Sequence, residues 1–178
     1  EKMLAELELG VTTTAVAKDL MSHDNIVAKQ MYYNPREQQA IERLTNLLQP
    51  ARFAEVRADL VKKGFRSGFA CIFHGAPGTG KTETVLQIAR ATGRDIMQVN
   101  ISEIKSMWVG ESEKNIKQIF SRYRKLVEAS DVAPILLFNE ADALIGKRLE
   151  NVTRSVDKME NSMQNIILEE IERLDGIL

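Results

Sequence analysis

The sequence predicts an α/β chain: a three-layer P-loop sandwich, a parallel sheet with helices on both faces, preceded by N-terminal helices. Two observations predict it. From residue 69 onward, short apolar runs alternate with segments whose apolar residues recur at three- and four-residue steps. That is how buried parallel strands alternate with amphipathic helices. One strand-to-helix junction also reads Gly75-Ala76-Pro77-Gly78-Thr79-Gly80-Lys81-Thr82. It fits the phosphate-binding pattern G-x-x-x-x-G-K-[ST] at every fixed position.

The elements follow in order. Residues 1–30 contain helical stretches, with Met3, Leu4 and Leu7 on one side, and read as a helical linker or the end of a preceding domain. Pro35 suits the first turn of a helix capped by Asn34. Ala40, Ile41, Leu44, Leu47 and Leu48 then mark its apolar face. A second helix is expected over about residues 51–63, with Phe53, Val56, Leu60 and Val61 inward and Gly64 as its stop. The run Phe69-Ala70-Cys71-Ile72-Phe73 reads as a strand buried on both faces. After the glycine-rich loop, Val85, Leu86, Ile88 and Ala89 mark a helix that Gly93 stops. A strand near Ile96-Met97-Gln98-Val99 and one at Pro134-Ile135-Leu136-Leu137-Phe138 flank a long helix bearing Ile116, Ile119, Phe120, Tyr123, Leu126 and Val127. A last helix carries Met163, Ile166, Ile167, Ile171 and Leu174, and a further strand begins at Ile177.

Bulk properties bound the function. The chain has 178 residues, long enough for one domain with a real core. A formal net charge of −1 argues against a nucleic-acid partner, since no global basic field is present. The single cysteine, Cys71, cannot form an internal disulfide and is expected as a packed core thiol. Nothing resembles a signal peptide or a membrane span, so a cytoplasmic protein with no membrane partner is expected. The chain opens on Glu1 and closes on Ile177-Leu178 just after Gly176, which reads as a fragment of a longer protein.

The loop implies a triphosphate. Its glycines let successive N–H groups turn inward as a nest for phosphate oxygens, and the following helix adds its positive end. Lys81 supplies a compact charge for the β- and γ-phosphates, and the Thr82 hydroxyl can coordinate Mg²⁺. Gly75, Ala76, Pro77, Gly78, Thr79, Gly80, Lys81, Thr82 and the adjoining Glu83 are therefore the candidate nucleotide-binding residues. A plain glycine-rich connection is the rival reading. It does not explain why strand, loop, lysine, hydroxyl and helix stand in this order. The third strand then ends in Asn139-Glu140-Ala141-Asp142. In nucleotide hydrolases of this fold such a strand end lies beside the loop, so Glu140 is placed to orient or deprotonate the attacking water.

With these motifs in register, the chain resembles the AAA+ ATPases from about Met31 to its C-terminus. Residues 75–82 resemble their Walker A motif, and residues 135–140 their Walker B strand. Met107-Trp108-Val109-Gly110-Glu111-Ser112-Glu113 is similar to the family's pore loop, and Glu172-Arg173-Leu174-Asp175-Gly176 to the stretch before its sensor strand. The resemblance implies that residues 31–178 form the large ATP-binding subdomain, incomplete at its C-terminus. It implies ATP and Mg²⁺ as ligands, Lys81 and Glu140 as catalytic residues, and Thr82 and Asn139 near the metal. It further implies a homo-oligomeric ring, a hexamer, in which the Trp108 loop grips an extended polypeptide and hydrolysis remodels or unfolds it. One of Tyr32, Tyr33 and Asn34 would meet the adenine, and Lys147-Arg148 would match a basic pair that follows Walker B. His74 and His23 are expected to be bland, the first packed on backbone and the second solvated.

One position departs from the family pattern: Asn139 stands where it has aspartate. Asparagine keeps a carbonyl oxygen but loses the charge that draws Mg²⁺ and its waters. Asn-Glu in similar bacterial members implies a natural variant of bacterial type. The departure leaves a second function in play, a nucleotide-gated switch with little or no hydrolysis. A P-loop kinase is a third, but it lacks an acceptor site and leaves the Trp108 loop unexplained. The family's sensor asparagine, arginine fingers and helical lid are expected beyond Leu178. Because an arginine finger contributes orders of magnitude in rate, the chain alone is expected to bind nucleotide and hardly hydrolyse it.

Overall fold

The structure, a computed structural model, describes residues 20–101, 112–141 and 155–178. Its strands are β1 (Leu20–Met21), β2 (Ile96–Asn100) and β3 (Ile135–Asn139). Its helices are α1 (Pro35–Leu47), α2 (Pro50–Lys62), α3 (Lys81–Thr92), α4 (Ser112–Ala129) and α5 (Ser155–Glu172). α1 starts where its signals place it: Pro35 opens the first turn, and the Glu37 carboxylate accepts from the Asn34 N–H at 3.1 Å. α3 ends at Gly93 in the left-handed conformation, as a helix-stopping glycine should.

β2 and β3 pair in parallel, Ile96 opposite Ile135 through Asn100 opposite Asn139. Single parallel bridges extend the order beyond β3 to Ile177 and then Phe69. β1, however, lies antiparallel on the outer side of β2, Leu20 opposite Met97. The sheet is therefore mixed rather than parallel throughout. An edge strand not joined to its neighbour by a crossover helix is free to run either way.

Alternation along the strands divides the core into two layers. Ile96 and Ile135 join Ile177, Ile26, Leu48, Phe53, Val85, Ile88 and Ala89 on the face covered by α1, α2 and α3. Met97 and Leu136 point the other way, into Ile116, Phe120, Tyr123 and Leu126 of α4 and Met163, Ile166 and Ile167 of α5. Helices cover the sheet on both faces, and the three-layer arrangement follows.

Polar ties fix the layers. The Tyr123 hydroxyl donates to the Pro134 carbonyl at 2.7 Å and accepts from the Ile177 N–H at 2.7 Å, pinning the C-terminal strand beside β3. Burial pushes its pKa well above the ordinary tyrosine range. The approach is so close that a Cβ at Gly176 would sit 2.4 Å from the Tyr123 oxygen, so only glycine fits. On the opposite face Arg94, 1% exposed, donates to the carbonyls of Leu48 at 2.8 Å and Ala133 at 2.6 Å. Its guanidinium lies 4.9 Å from the centre of the Phe53 ring.

Several expectations are corrected. Residues 20–30 hold β1, a 3-10 helix at His23–Asn25 and otherwise extended chain, while the helical stretch expected around Met3, Leu4 and Leu7 lies outside the described residues. His23 is not merely solvated, because its backbone N–H and its Nδ1 meet one Asp95 oxygen at 3.0 and 2.7 Å. Residues 69–73 are not buried on both faces. Among the described residues they stand at the end of the strand order, with main-chain bonds through Phe69 and Cys71 to residues 176–178 and Ile72 69% exposed. Cys71 is accordingly exposed rather than packed in the core, although partial burial still pushes its thiol pKa up. Val61 points outward on α2, and His74 is exposed rather than packed on backbone.

Candidate nucleotide site

The site is assembled at the carboxyl ends of two chain segments that run in the same direction, the 69–73 run and β3. Open α/β sheets bind ligands in this place. The loop of residues 75–82 leaves the first segment and turns directly into α3, whose first residue is Lys81. Gly80, immediately before it, sits at φ 83°, a left-handed conformation that a side chain would strain. The turn aims the first N–H groups of α3 out of the loop, where a phosphate would meet them together with the helix dipole.

Lys81 folds back over the loop. Its ammonium donates to the carbonyls of Gly75 at 2.9 Å and Ala76 at 2.8 Å. The Thr79 hydroxyl also donates to Ala76, at 2.9 Å. These bonds hold the lysine charge over the cradle. The loop residues from Gly75 to Thr79, and Thr82, are exposed and so open to a ligand.

From β3 the other half arrives. The Thr82 hydroxyl donates to Asn139 Oδ1 at 3.3 Å, so the end of β3 and the start of α3 meet through two side-chain oxygens. Both oxygens are neutral. A hard divalent cation could be held by them if phosphate oxygens and water supplied the remaining ligands and the negative charge. Glu140 follows Asn139, is exposed, and takes φ 58°, the sole positive φ of a non-glycine among the described residues. Such a conformation costs roughly 1–3 kcal/mol and clusters at functional sites. Nothing in the local sequence signals it.

Other expected residues fall as follows. Glu83 bonds Lys29 Nζ at 2.6 Å and the Gln87 amide at 2.8 Å, and these two bonds hold its carboxyl below the usual range. Tyr33 reaches the loop region, its hydroxyl 3.0 Å from that of Thr84, whereas Tyr32 is 83% exposed. Trp108 and its loop through Glu111, together with Asp142 and the Lys147-Arg148 pair, lie outside the described residues. Among the described residues no helix is long and apolar enough to cross a membrane.

The relatives named below are archaeal and eukaryotic, and they lend nothing to a bacterial affiliation. Cell division protein C of Sulfolobus acidocaldarius is 34% identical over 90 residues, 51% of this chain and 24% of that protein. The ATPase family gene 2 protein homolog B of Bos taurus is 34% identical over 111 residues, 62% of this chain and 14% of that one. The Peroxisomal ATPase PEX6 of Komagataella pastoris is 31% identical over 137 residues, 76% of this chain and 10% of that one. The chain thus spans a quarter or less of the length of these relatives. Residues 71–176, more than half of the chain, match the family described as ATPase family associated with various cellular activities. Their span takes in all of α3, the Thr82–Asn139 contact and Glu140, and the chain belongs to this AAA family of ATPases.

Proposed function

We propose that the chain is the nucleotide-binding part of an ATP-hydrolysing machine, and that its site binds ATP with Mg²⁺. The observation that carries this reading is the Thr82–Asn139 contact, which sets Glu140 beside a loop already holding the Lys81 charge. Loop N–H groups and Lys81 bind and orient the phosphates and stabilise charge developing on the γ-phosphate. Glu140, at the exposed end of β3, holds and polarises the attacking water. Thr82 and Asn139 are the residues that would hold Mg²⁺, which supplies charge neutralisation on the phosphates when bound. Gly75, Ala76, Pro77, Gly78, Thr79, Gly80 and Glu83 complete the nucleotide-contacting set of the proposal.

The same proposal covers the whole protein. The resemblance supports a homo-oligomer, a hexameric ring, in which the Trp108 loop grips a polypeptide and hydrolysis remodels it. The lack of a signal-peptide or membrane-span pattern in the sequence is the ground for proposing a cytoplasmic location. It also supports a boundary near residue 30, with a linker or preceding domain before the ATP-binding subdomain. Residues 20–29 nevertheless contact that subdomain, through the β1–β2 pairing and through Gln87, which donates to the Val27 carbonyl at 2.9 Å.

A second reading, the nucleotide-gated switch, is favoured by one feature: Asn139 brings a neutral oxygen where a carboxylate would draw the metal. The two readings separate on Mg²⁺-dependent ATP hydrolysis by the full-length parent. Hydrolysis lost in Glu140→Gln and raised in Asn139→Asp supports the ATPase. Tight ATP binding without turnover in every version supports the switch. The chain alone is expected to bind nucleotide with negligible turnover, and measurable hydrolysis by it contradicts that part.

A further inference from the structure

An extended segment ahead of α1 lies along the first turns of α3, and its residues 27, 29, 31 and 33 contact the helix or the residue before it. The Val27 carbonyl accepts from Gln87 Nε2 at 2.9 Å. The Lys29 N–H donates to Gln87 Oε1 at 3.2 Å, and Lys29 Nζ meets Glu83 at 2.6 Å. The Met31 methyl lies 3.0 Å from where a Cβ on Gly80 would stand. The Tyr33 hydroxyl is 3.0 Å from Thr84 Oγ1. Val27 and Lys29 are exposed and touch α3 through backbone atoms and the end of the lysine side chain, whereas Met31 and Tyr33 are half-buried and Tyr32 between them is exposed.

The last of these contacts reaches the phosphate loop itself. Thr84 is 3% exposed, and its hydroxyl donates to the Gly80 carbonyl at 2.9 Å. A threonine hydroxyl carries one proton, and here the Gly80 carbonyl takes it. Tyr33 must therefore be the donor in the bond to Thr84. The bonds run one way, from Tyr33 O–H to Thr84 O–H to Gly80 C=O, and each polarises the next. The Gly80 carbonyl also accepts the Thr84 N–H at 2.8 Å, the first backbone bond of α3. It belongs to the residue whose left-handed φ turns the loop into the helix.

We infer that Tyr33 is a positioning residue of the nucleotide site, acting through Thr84 to hold the Gly80 carbonyl and with it the exit of the phosphate loop. It touches no phosphate itself. Removing its hydroxyl frees Thr84 to rotate and lets the Gly80 peptide move. The loop N–H groups then meet β- and γ-phosphates less well aligned. A coupling in the other direction follows by linkage: a nucleotide that orders the loop also steadies the Lys29–Tyr33 contacts and the chain that precedes α1.

This inference rests on the site binding nucleotide, and the test separates the two. Calorimetric titration of the 178-residue chain with ADP, ATP and AMP is compared for the parent, Tyr33→Phe, Thr84→Val and the double variant, with urea unfolding of each. Tyr33→Phe is expected to weaken ADP and ATP binding about three- to tenfold, the scale of one lost hydrogen bond. AMP, which lacks the β-phosphate, should bind the parent and Tyr33→Phe alike. The double variant should lose no more than Thr84→Val, because both remove the same link. If Thr84→Val does not fold, Tyr33→Phe against the parent still decides. Equal ADP affinity in the parent and Tyr33→Phe overturns the inference, as does a loss that is the same for AMP. A parent that binds none of the three overturns the nucleotide site instead.

Discussion

The two faces of the sheet are held by different means. On the α4–α5 face most contacts are apolar, with Phe120 and Phe138 rings 5.6 Å apart at 82° around a core of Leu136, Met97 and Met163. Its polar ties, Tyr123 to the Pro134 and Ile177 backbone and Arg124 to Glu170 at 2.6 Å, lie away from the phosphate loop. On the α1–α3 face, three buried polar residues, Thr84, Thr92 and Arg94, lie on α3 or just past its end. Apolar packing holds elements together without fixing direction, whereas a buried hydrogen bond costs stability if its partner moves. The directional bonds that reach the phosphate loop stand on the face whose helix opens there. Both faces adhere and both carry directional bonds; those of the α1–α3 face lie at the loop.

That contrast can be broken from either side. The largest effect is expected from Phe120→Ala, which empties a site only 1% exposed and should cost about 3–5 kcal/mol in urea unfolding. The fraction that stays folded should bind ADP close to parental affinity, since Phe120 reaches the site only indirectly, through Phe138 beside Asn139. Arg94→Met comes next. It orphans the carbonyls of Leu48 and Ala133 and removes the cation over Phe53, a loss of about 1–3 kcal/mol. Unlike the first variant, it should also loosen α1 and α2 against the sheet, readable as faster amide exchange at both helices.

The smallest effect sharpens the contrast through pH. Hydrogen bonds from Lys29 and Gln87 lower the Glu83 pKa in the folded protein from its ordinary 4.5. A carboxyl lowered on folding stabilises above its unfolded pKa, and that contribution is lost as pH falls through the folded value. The unfolding midpoint of Glu83→Gln should therefore trail the parent at pH 7, with the gap closing below about pH 4.5. A gap that stays constant across that range would remove the ion pair from the account.

Much of this was legible in the sequence, for identifiable reasons. The phosphate loop is read from fixed glycine, lysine and threonine positions. The two core faces follow from periodicity, so Phe120, Tyr123, Met163 and Ile167 fall where their spacing places them. Other features leave no local trace. β1 is two residues long and takes its pairing from β2, far along the chain. Arg94 follows a helix-stopping glycine and reads as a solvated charge, because its partners are backbone carbonyls that any residue could supply. The Tyr33–Thr84 bond joins positions 51 apart. Residues 69–73 have the composition of a central strand, but exposure depends on neighbours, and theirs is a short segment reaching Leu178.

The account turns on the loop being a nucleotide site with Lys81 as its charge, and ADP titration of the parent and Lys81→Ala tests that most directly. The prediction is measurable binding by the parent and an affinity about ten- to a hundredfold lower without the ammonium, the scale of a lost charged hydrogen bond. A parent that binds no ADP, or a Lys81→Ala variant that binds it equally well, would contradict the account.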